Sequence, residues 1–191
     1  MEDKRTHLID NAIGLFIKHG IVSVTMDEVA GASGMSKKTL YQHFANKGIL
    51  VEAVVDLLIK QGDDILRANS NTALDPVREL FLQQDLFNHL ITLRYIFNDL
   101  VLQRYPRAHR ALHHFKNDTM KKAIEINLEC GIKKALYRPE IDIQTTASIY
   151  TSVTDFFLFN SLRGPGDIFA ALHLFINSIT TTEGRRIFAG L

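Results

Sequence analysis

The sequence predicts an all-α protein in which a small N-terminal helix-turn-helix domain precedes a larger helical domain. Apolar residues recur at the three- and four-residue spacing of helices along almost all of the 191 residues, and only four prolines and eleven glycines interrupt them. Between Val24 and Leu50, two helix-capping patterns flank a glycine, as in a helix-turn-helix. We therefore predict domains over residues 1–46 and 47–191, connected by a helix over residues 47–68.

The N-terminal domain begins with a helix predicted from Lys4 to Lys18, which Gly20 ends. An apolar stripe along this helix consists of Leu8, Ile9, Ala12, Leu15 and Phe16. The segment that follows supplies further core residues, namely Val24, Met26, Val29, Ala32, Met35, Leu40 and Phe44. Together these residues predict a small core shared by three short helices.

Caps and a turn define the second and third helices. Thr25 and Glu28 have the spacing of a capping box, in which a hydroxyl and a carboxylate satisfy free backbone N–H groups reciprocally. Gly34 stands where the chain must turn sharply, and glycine adopts the required conformation without a Cβ penalty. Ser36 is then the predicted cap of the third helix.

The exposed residues that open the third helix are Lys37, Lys38 and Thr39. A helix that presents cations and a hydroxyl at this end suits the major groove of DNA, where lysine donates to guanine and the threonine methyl group contacts thymine. Gln42 lies one turn after Lys38 and is a candidate for reading adenine. The alternative is a solvated polar turn.

Charge distribution supports the DNA interpretation better than net charge does. The chain has 22 basic and 21 acidic residues, so its overall charge does not indicate a nucleic-acid partner. The stretch 37–47 nevertheless contains Lys37, Lys38, His43 and Lys47 and no acidic residue. A phosphate backbone would meet this local positive charge.

The C-terminal part begins with a long helix that Asn46 caps and that reaches about Ala68. The polar run 69–72 is the predicted boundary after this helix. Asp75–Pro76 starts the next helix, since proline is tolerated in a first helical turn. Pro106 interrupts the apolar stretch that follows.

Three more long segments complete the prediction. One helix runs from about Ala108 to Ala135 and is followed by the break Arg138–Pro139. Asp142 caps a helix that reaches about Ser161. The turn 164–166 precedes a last long helix over residues 167–181, after which the tail can fold back as a short helix.

The motif TMDEVA is followed by the run GMSKKTLYQHFANK, in which Thr-Leu-Tyr and His-Phe come after the turn glycine. In this combination the stretch from Leu8 to Leu50 resembles the tetracycline-repressor-like (TetR) family of bacterial transcription regulators. The rest of the chain is similar to that family in length, in helicity and in the turn GIKKALYRPEID. About a quarter of the sequence carries the resemblance.

The resemblance implies a homodimer that represses transcription and leaves its palindromic operator when a small-molecule inducer binds. It also implies that Thr25, Tyr41, His43 and Lys47 hold phosphates on either side of the groove. The ring of Tyr41 can instead pack against the protein, and His43 can equally be packed or solvated. The predicted DNA-binding residues are Thr25, Ser36, Lys37, Lys38, Thr39, Tyr41, Gln42, His43 and Lys47.

Aromatic residues are frequent in the second half of the chain. Each one by itself is best explained as core, but together they suit an apolar cavity with a few polar groups. Asp155 is suggestive because a buried carboxylate needs a partner, although exposure on a helix edge is the alternative. The residues predicted to bind an unknown apolar or amphipathic ligand are Phe97, Tyr105, Phe115, Tyr150, Thr151, Thr154 and Asp155.

The last two long helices carry wide apolar stripes that suit a four-helix dimer interface, and the resemblance points to the same pair. The predicted interface residues are Val153, Phe156, Phe157, Asn160, Leu172, Phe175, Ile176 and Ile179.

Other functions lack positive support in the sequence. No nucleophile elbow, phosphate loop or metalloprotease helix is present, so we predict neither an enzyme nor a cofactor. His109 and His113 have the spacing of a metal-binding pair, but no cysteine or carboxylate cluster accompanies them, and we predict no metal site. The single cysteine, Cys130, excludes an intramolecular disulfide. No leader and no apolar run of about 18 residues is present, which predicts a cytoplasmic protein without a membrane span.

The sequence therefore predicts a sequence-specific DNA-binding transcriptional regulator, and specifically a repressor. A helical dimer whose C-terminal domain binds a protein partner is the alternative from another class. An activator with the same architecture has the same sequence features.

Overall fold

A computed structural model describes residues 2–96, 103–159 and 165–191, and within these ranges the regular structure is helical apart from one isolated β-bridge between Tyr137 and Thr180. In chain order the helices are α1 (Glu2–His19), α2 (Met26–Ala32), α3 (Lys37–His43), α4 (Lys47–Thr72), α5 (Pro76–Ile96), α6 (Pro106–His114), α7 (Lys121–Lys133), α8 (Ile143–Phe159), α9 (Pro165–Ile179) and α10 (Thr182–Phe188). A π-helical segment, Phe115–Met120, joins α6 to α7. The predicted all-α fold is confirmed. Among the described residues, no helix combines the length and apolarity needed to cross a bilayer.

The chain divides into two compact units. The first unit comprises Met1–Lys60 and Thr92–His113, and the second comprises Gln61–Ile91 and His114–Leu191. The predicted functional division after residue 46 is a different boundary and stays a prediction.

The first unit packs α1, α2 and α3 around the predicted core. Its fully or nearly fully buried residues include Leu8, Ile9, Ala12, Phe16, Val24, Val29, Leu40 and Phe44. Met35 is half-buried, and Ala32 is exposed, contrary to the prediction. Ser33 takes the buried position at the end of α2 instead, because its hydroxyl donates to the Val29 carbonyl at 2.7 Å.

The predicted boundary at residues 69–72 is wrong, because α4 continues through it to Thr72. The side chain of Asn69 is buried, and its Nδ2 donates to the Leu82 carbonyl at 2.8 Å. The hydroxyl of Thr72 donates to the Ala68 carbonyl at 2.8 Å. These bonds satisfy the polar side chains without a turn, so a polar run continues the helix.

The helix starts of the second unit follow the predicted caps. Asp75 Oδ1 accepts a hydrogen bond from the Arg78 backbone N–H at 2.9 Å, and Asp142 Oδ1 accepts one from Thr145 at 2.7 Å. Each carboxylate thereby satisfies a free N–H of a first helical turn. The tail forms α10, as the sequence allows.

A buried polar network ties three parts of the second unit together. The hydroxyl of Tyr137 lies 2.8 Å from the Pro76 carbonyl and 2.9 Å from Asn127 Oδ1, so it has two acceptors for its proton. Asn127 Nδ2 donates to Pro76 at 3.0 Å and to Glu79 Oε2 at 2.9 Å. The loop after α7 is thus bonded to α7 and to the start of α5. Burial, with the nearby Glu79 and Asp75 carboxylates, raises the pKa of Tyr137 well above its ordinary value, which keeps this hydroxyl a donor.

Two buried tyrosines allow a matched test of this network. Tyr137→Phe removes a hydroxyl that has two partners, and we expect it to lower the free energy of unfolding by about 1–3 kcal/mol. Tyr150→Phe removes a buried hydroxyl that has no hydrogen-bond partner among the described residues, so we expect no loss of stability, or a small gain. Urea denaturation of both variants measures the difference. Equal losses in the two variants would contradict the assigned network.

Candidate nucleic-acid interface

The start of α2 is held by the predicted capping box. The Thr25 backbone N–H donates to Glu28 Oε2 at 2.7 Å, the Thr25 hydroxyl donates to the same oxygen at 2.9 Å, and the Glu28 N–H donates to Thr25 Oγ1 at 3.2 Å. Bonds from Thr25 therefore lower the pKa of the Glu28 carboxyl below 4.5. Three local bonds fix the direction in which α2 leaves the preceding turn.

This lowered pKa predicts a pH-dependent stability. Because the folded pKa lies below the unfolded one, the contribution of ionised Glu28 is present above about pH 4.5 and is lost as the pH falls through the folded pKa. We expect Glu28→Gln to lower the thermal midpoint at pH 7 and to match the wild type increasingly as the pH falls below 4.5. Glu129→Gln, on the exposed face of α7, controls for the general loss of a carboxylate. A Glu28→Gln deficit that stayed constant with pH would contradict this role.

The turn between α2 and α3 depends on glycine and serine. Gly34 has a φ of +62°, a left-handed conformation that a side chain disfavours. Ser36 then caps α3, since its Oγ accepts from the Thr39 backbone N–H at 3.1 Å. The glycine turn and the serine cap are both as predicted, and they place the first residues of α3 on the surface.

Three of the residues predicted to read bases open α3, and Gln42 lies one turn further along the same helix. Lys37 and Lys38 are exposed, Thr39 is half-buried and Gln42 is exposed. Lys37 Nζ lies 2.6 Å from Asp27 Oδ2 in an ion pair whose side chains remain 66% and 54% exposed. Asp27 raises the pKa of Lys37 by this hydrogen bond and by its charge. Such an exposed ion pair contributes little to stability, so Lys37 can leave the Asp27 carboxylate and pair with a DNA phosphate.

The residues predicted to hold phosphates lie on both sides of α3. Tyr41 remains 49% exposed, His43 is half-buried beside Phe44, and Thr25 is exposed at the start of α2. Lys47 is half-buried, and its Nζ donates to the Val22 carbonyl at 3.2 Å. Partial burial lowers the pKa of Lys47, and the Glu28 carboxylate opposes this effect. An ammonium group has three donors, so Lys47 retains hydrogens for a phosphate.

Two residues of this surface were not anticipated from the sequence. Asp27 neutralises Lys37 across ten positions, a separation that helical spacing does not reveal. Arg5 on α1 places its guanidinium 5.1 Å from the ring centroid of Phe44, in the geometry of a cation–π contact. The basic pair Lys4–Arg5 before the apolar stripe is the sequence feature that points to a further cation here.

Two of the residues predicted to bind a ligand line a nearly filled cavity in the second unit. Tyr150 and Thr154 surround it with Phe87, Leu172, Phe175 and their neighbours, and about 10 Å³ remains free, which is the space of about one water molecule. The side chain of Asp155 is 39% exposed and makes an ion pair with Lys116 at 2.9 Å, so it lies at a helix edge and is not a buried carboxylate.

The other predicted ligand residues lie apart from this cavity. Thr151 is half-buried and donates to the carbonyls of its own helix. Phe115 is buried against Gly62. Tyr105 is half-buried in the first unit, beside Gly48. Phe97 lies outside the described residues.

The residues predicted for dimerisation are not equally accessible. Phe156 is 51% exposed and Val153 is half-buried, whereas Leu172, Ile176 and Ile179 are at most 3% exposed within the single chain. These three residues are therefore already buried within their own protomer. Phe175 is half-buried. Asn160 and the side chain of Phe157 lie outside the described residues.

A capped helix-turn-helix, whose second helix presents cations and a hydroxyl to solvent on an all-helical chain, defines a DNA-binding protein of the helix-turn-helix class. Residues 8–54 match the family model described as bacterial regulatory proteins of the tetR family. The DNA-binding domain of the chain therefore belongs to the TetR family of transcriptional regulators.

Individual relatives agree with this family. The chain is 29% identical over 167 residues to the probable transcriptional regulator ArpR of Pseudomonas putida, covering 76% of this chain and 74% of that one. It is 33% identical over 118 residues to the regulator TtgR of Pseudomonas putida, covering 59% of this chain and 50% of the relative. A solved complex of SmeT with triclosan shares the fold, with a TM-score of 0.72, 16% identity and coverage of 94% and 93% of the two chains.

Proposed function

We propose that this regulator is a cytoplasmic repressor that binds a palindromic operator as a homodimer. Residues 1–46 act as the DNA-binding domain, and residues 47–191 act as the regulatory and dimerisation domain. The observation that carries the proposal is the solvent-facing start of α3, where Lys37, Lys38 and Thr39 follow a serine cap. The resemblance of the chain to the tetracycline-repressor-like family supports a role in repression.

The side chains of this surface divide into two roles in the proposed complex. Lys38, Thr39 and Gln42 face base edges in the major groove, with Lys37 at their border. Thr25, Tyr41, His43 and Lys47 hold phosphates and so set the register of α3 without reading sequence, and Ser36 caps the helix at the DNA surface.

Self-association through α8 and α9 would place two copies of α3 in successive major grooves, about 34–36 Å apart. Large apolar side chains remain exposed on these helices, since Ile149 and Phe156 are each 51% exposed and Leu174 is 72% exposed. These exposed residues, together with the half-buried Val153, support a dimer interface on the exposed surface of α8 and α9. The buried residues Leu172, Ile176 and Ile179 would support that surface from within the protomer.

The proposed inducer is a small apolar or amphipathic molecule that binds residues 47–191. It releases the operator only if it binds the DNA-free state better than the DNA-bound state. The triclosan complex of SmeT, which has the same fold, supports this class of ligand. The cavity around Tyr150 and Thr154 would have to open to admit such a molecule, because only about 10 Å³ is free.

Lys47→Ala tests the phosphate role of one residue. We expect a weaker affinity for every DNA sequence and a salt slope, d log K/d log [salt], that is smaller by about 0.9, because one counterion-releasing contact is lost. Fluorescence anisotropy with operator and random duplexes at several salt concentrations measures both quantities. Lys60→Ala, an exposed lysine further along α4, is the control. A change in base preference would mean that Lys47 reads sequence.

Selection of operators tests the proposed function as a whole. Purified protein is enriched on fragments of its own genome, and the selected fragments are footprinted at about 0.1 and 0.3 M salt. We expect a short protected palindrome that survives the higher salt concentration. Weak, salt-sensitive binding without a preferred site would overturn the proposal.

A further inference from the structure

A second run of basic residues lies at and just before α6. The stretch 103–116 contains no acidic residue and four cationic ones, namely Arg104, Arg107, Arg110 and Lys116. It therefore has one more lysine or arginine than the stretch 37–47 of the helix-turn-helix, which has three. A run of charged residues is usually a solvated helix face, so its position in the fold decides whether it meets a partner.

The first part of this run packs with the helix-turn-helix. Thr92–His113 and Met1–Lys60 form one compact unit, although they are far apart in the sequence. The ring of Tyr105 lies beside Gly48, where an added Cβ would be 3.9 Å from Tyr105 Cδ1. Gly48 directly follows Lys47, which we propose to hold a phosphate. The turn before α6 therefore lies next to the end of α4 that faces DNA in the proposed complex.

An ion pair fixes the direction of α6 along α4. Arg107 Nη1 lies 3.9 Å from Glu52 Oε2, one turn after the start of α4. Since Tyr105 lies beside the first turn of α4 and Arg107 beside the next, residue numbers rise in the same direction along both segments. Arg104 is therefore on the DNA side of this contact, whereas Arg110 is on the far side.

Arg104 is the cation of the run that is best placed for a phosphate. It is exposed in the turn before α6. Burial raises the pKa of Tyr105 and the charge of Arg104 opposes this rise, so the guanidinium lies within electrostatic reach of the Tyr105 hydroxyl. Among the described residues no carboxylate pairs with Arg104, whereas Glu52 lies near Arg107. Arginine keeps its charge at physiological pH and binds phosphate through parallel N–H groups.

We propose that Arg104 binds a phosphate of the operator, next to the phosphate held by Lys47. The DNA interface then extends beyond residues 1–46 and beyond the family match, which ends at residue 54. This contact strengthens binding and increases its dependence on salt, but it reads no sequence. The proposal rests on the proposed function, because it adds a contact to the same complex.

A charge series at one position tests the contact. Arg104→Lys keeps the charge, Arg104→Ala removes it and Arg104→Glu reverses it. Anisotropy titrations of the full chain with the selected operator and with a random duplex, at several salt concentrations, measure the affinity and the salt slope. At about 0.1 M salt we expect Arg104→Ala to weaken both duplexes by about 3- to 10-fold and to reduce the slope by about 0.9. Arg104→Glu should weaken them further, and Arg104→Lys should stay within about twofold of the wild type.

Arg110→Ala is the matched control. It removes the same charge from the same run, at an exposed position on the far side of the contact with α4. We expect it to change the affinity by less than about twofold and to leave the salt slope unchanged, since an exposed charge further from DNA is screened by salt. Thermal denaturation checks that each variant remains folded.

Ethylation interference locates the contact on the DNA. An ethylated phosphate has lost its charge, so it prevents binding where the protein needs that phosphate. For the wild type we expect an interfering phosphate beside the one that stops interfering in Lys47→Ala. This phosphate should stop interfering in Arg104→Ala and should still interfere in Arg110→Ala. If Arg104 only supported the fold of the turn, binding would weaken without a change at one particular phosphate.

Several results would overturn the proposal. One is an Arg104→Ala protein with the affinity and salt slope of the wild type, and another is an unchanged interference pattern. Equal effects of Arg110→Ala and Arg104→Ala would also overturn it, because they would indicate a general attraction of the run to DNA. A wild type that selects no operator would overturn the proposed function together with this contact. A wild type with a clear footprint and a neutral Arg104→Ala variant would overturn the contact alone.

Discussion

Gly131→Ala should lower the free energy of unfolding by about 3 kcal/mol or more, because the added methyl group would overlap a buried aromatic ring. A Cβ at Gly131 on α7 would meet Cγ, Cδ2 and Cε2 of Tyr137 well inside van der Waals contact. Tyr137 is fully buried, and its hydroxyl is bonded to Pro76 and Asn127, so the ring cannot move aside cheaply. The backbone N–H groups of Leu136 and Tyr137 also donate to the Gly131 carbonyl, at 2.9 and 3.1 Å.

Gly14→Ala is the matched control for this prediction. Gly14 lies in the interior of α1 and is exposed, and no described residue outside its own helix backbone would lie within 4 Å of an added Cβ. Alanine there should raise stability by about 0.5–1 kcal/mol, the usual difference between glycine and alanine in a helix. Thermal and urea denaturation of the two variants measures both changes. A Gly131→Ala protein as stable as the wild type would show that Tyr137 does not pack against α7 in this way.

Lys38→Ala should weaken operator binding by about 10- to 100-fold, which corresponds to the loss of one bidentate contact with a base edge. Lys38 is exposed at the start of α3 and, within the described part of the chain, makes no ion pair, so it has no competing partner. Lys37 should respond less to substitution, because Asp27 already holds it. Anisotropy titrations with the selected operator and with single-base variants of it measure the affinity and the preference at each position.

Lys18→Ala is the control, since Lys18 is exposed in the last turn of α1 and lies outside the predicted DNA-binding residues. Its substitution should change operator affinity no more than the loss of one distant surface charge does. If Lys38→Ala weakened all duplexes equally and relaxed no base preference, Lys38 would contact a phosphate instead.

The backbone geometry of the candidate DNA-binding surface was largely predictable from the sequence because the bonds that fix it are local. Thr25 with Glu28, and Ser36 with Thr39, act over three positions, so their spacing alone predicts the bonds that are present. Gly34 is likewise predictable, because few other residues adopt its backbone conformation. The same reasoning could not find the Lys37–Asp27 pair, whose members lie on different helices.

The regulatory part was less predictable, because its features depend on residues far apart in the chain. Aromatic composition predicted a cavity at Tyr150 and Thr154, but packing leaves only about 10 Å³ free there. A larger groove, of about 190 Å³, draws its residues from α4, α5, α7 and the π-helical segment. Spacing within one helix does not show such a groove.

The sequence by itself determined the helical class, the positions of most helix starts and the DNA-binding motif, since each follows from interactions within one or two turns. Only the tertiary structure decided where α4 ends. α4 passes through a polar run because Asn69 donates to the distant carbonyl of Leu82. The contact with a neighbouring helix outweighs the local preference there, because a polar group satisfied by a distant partner no longer needs a turn or water.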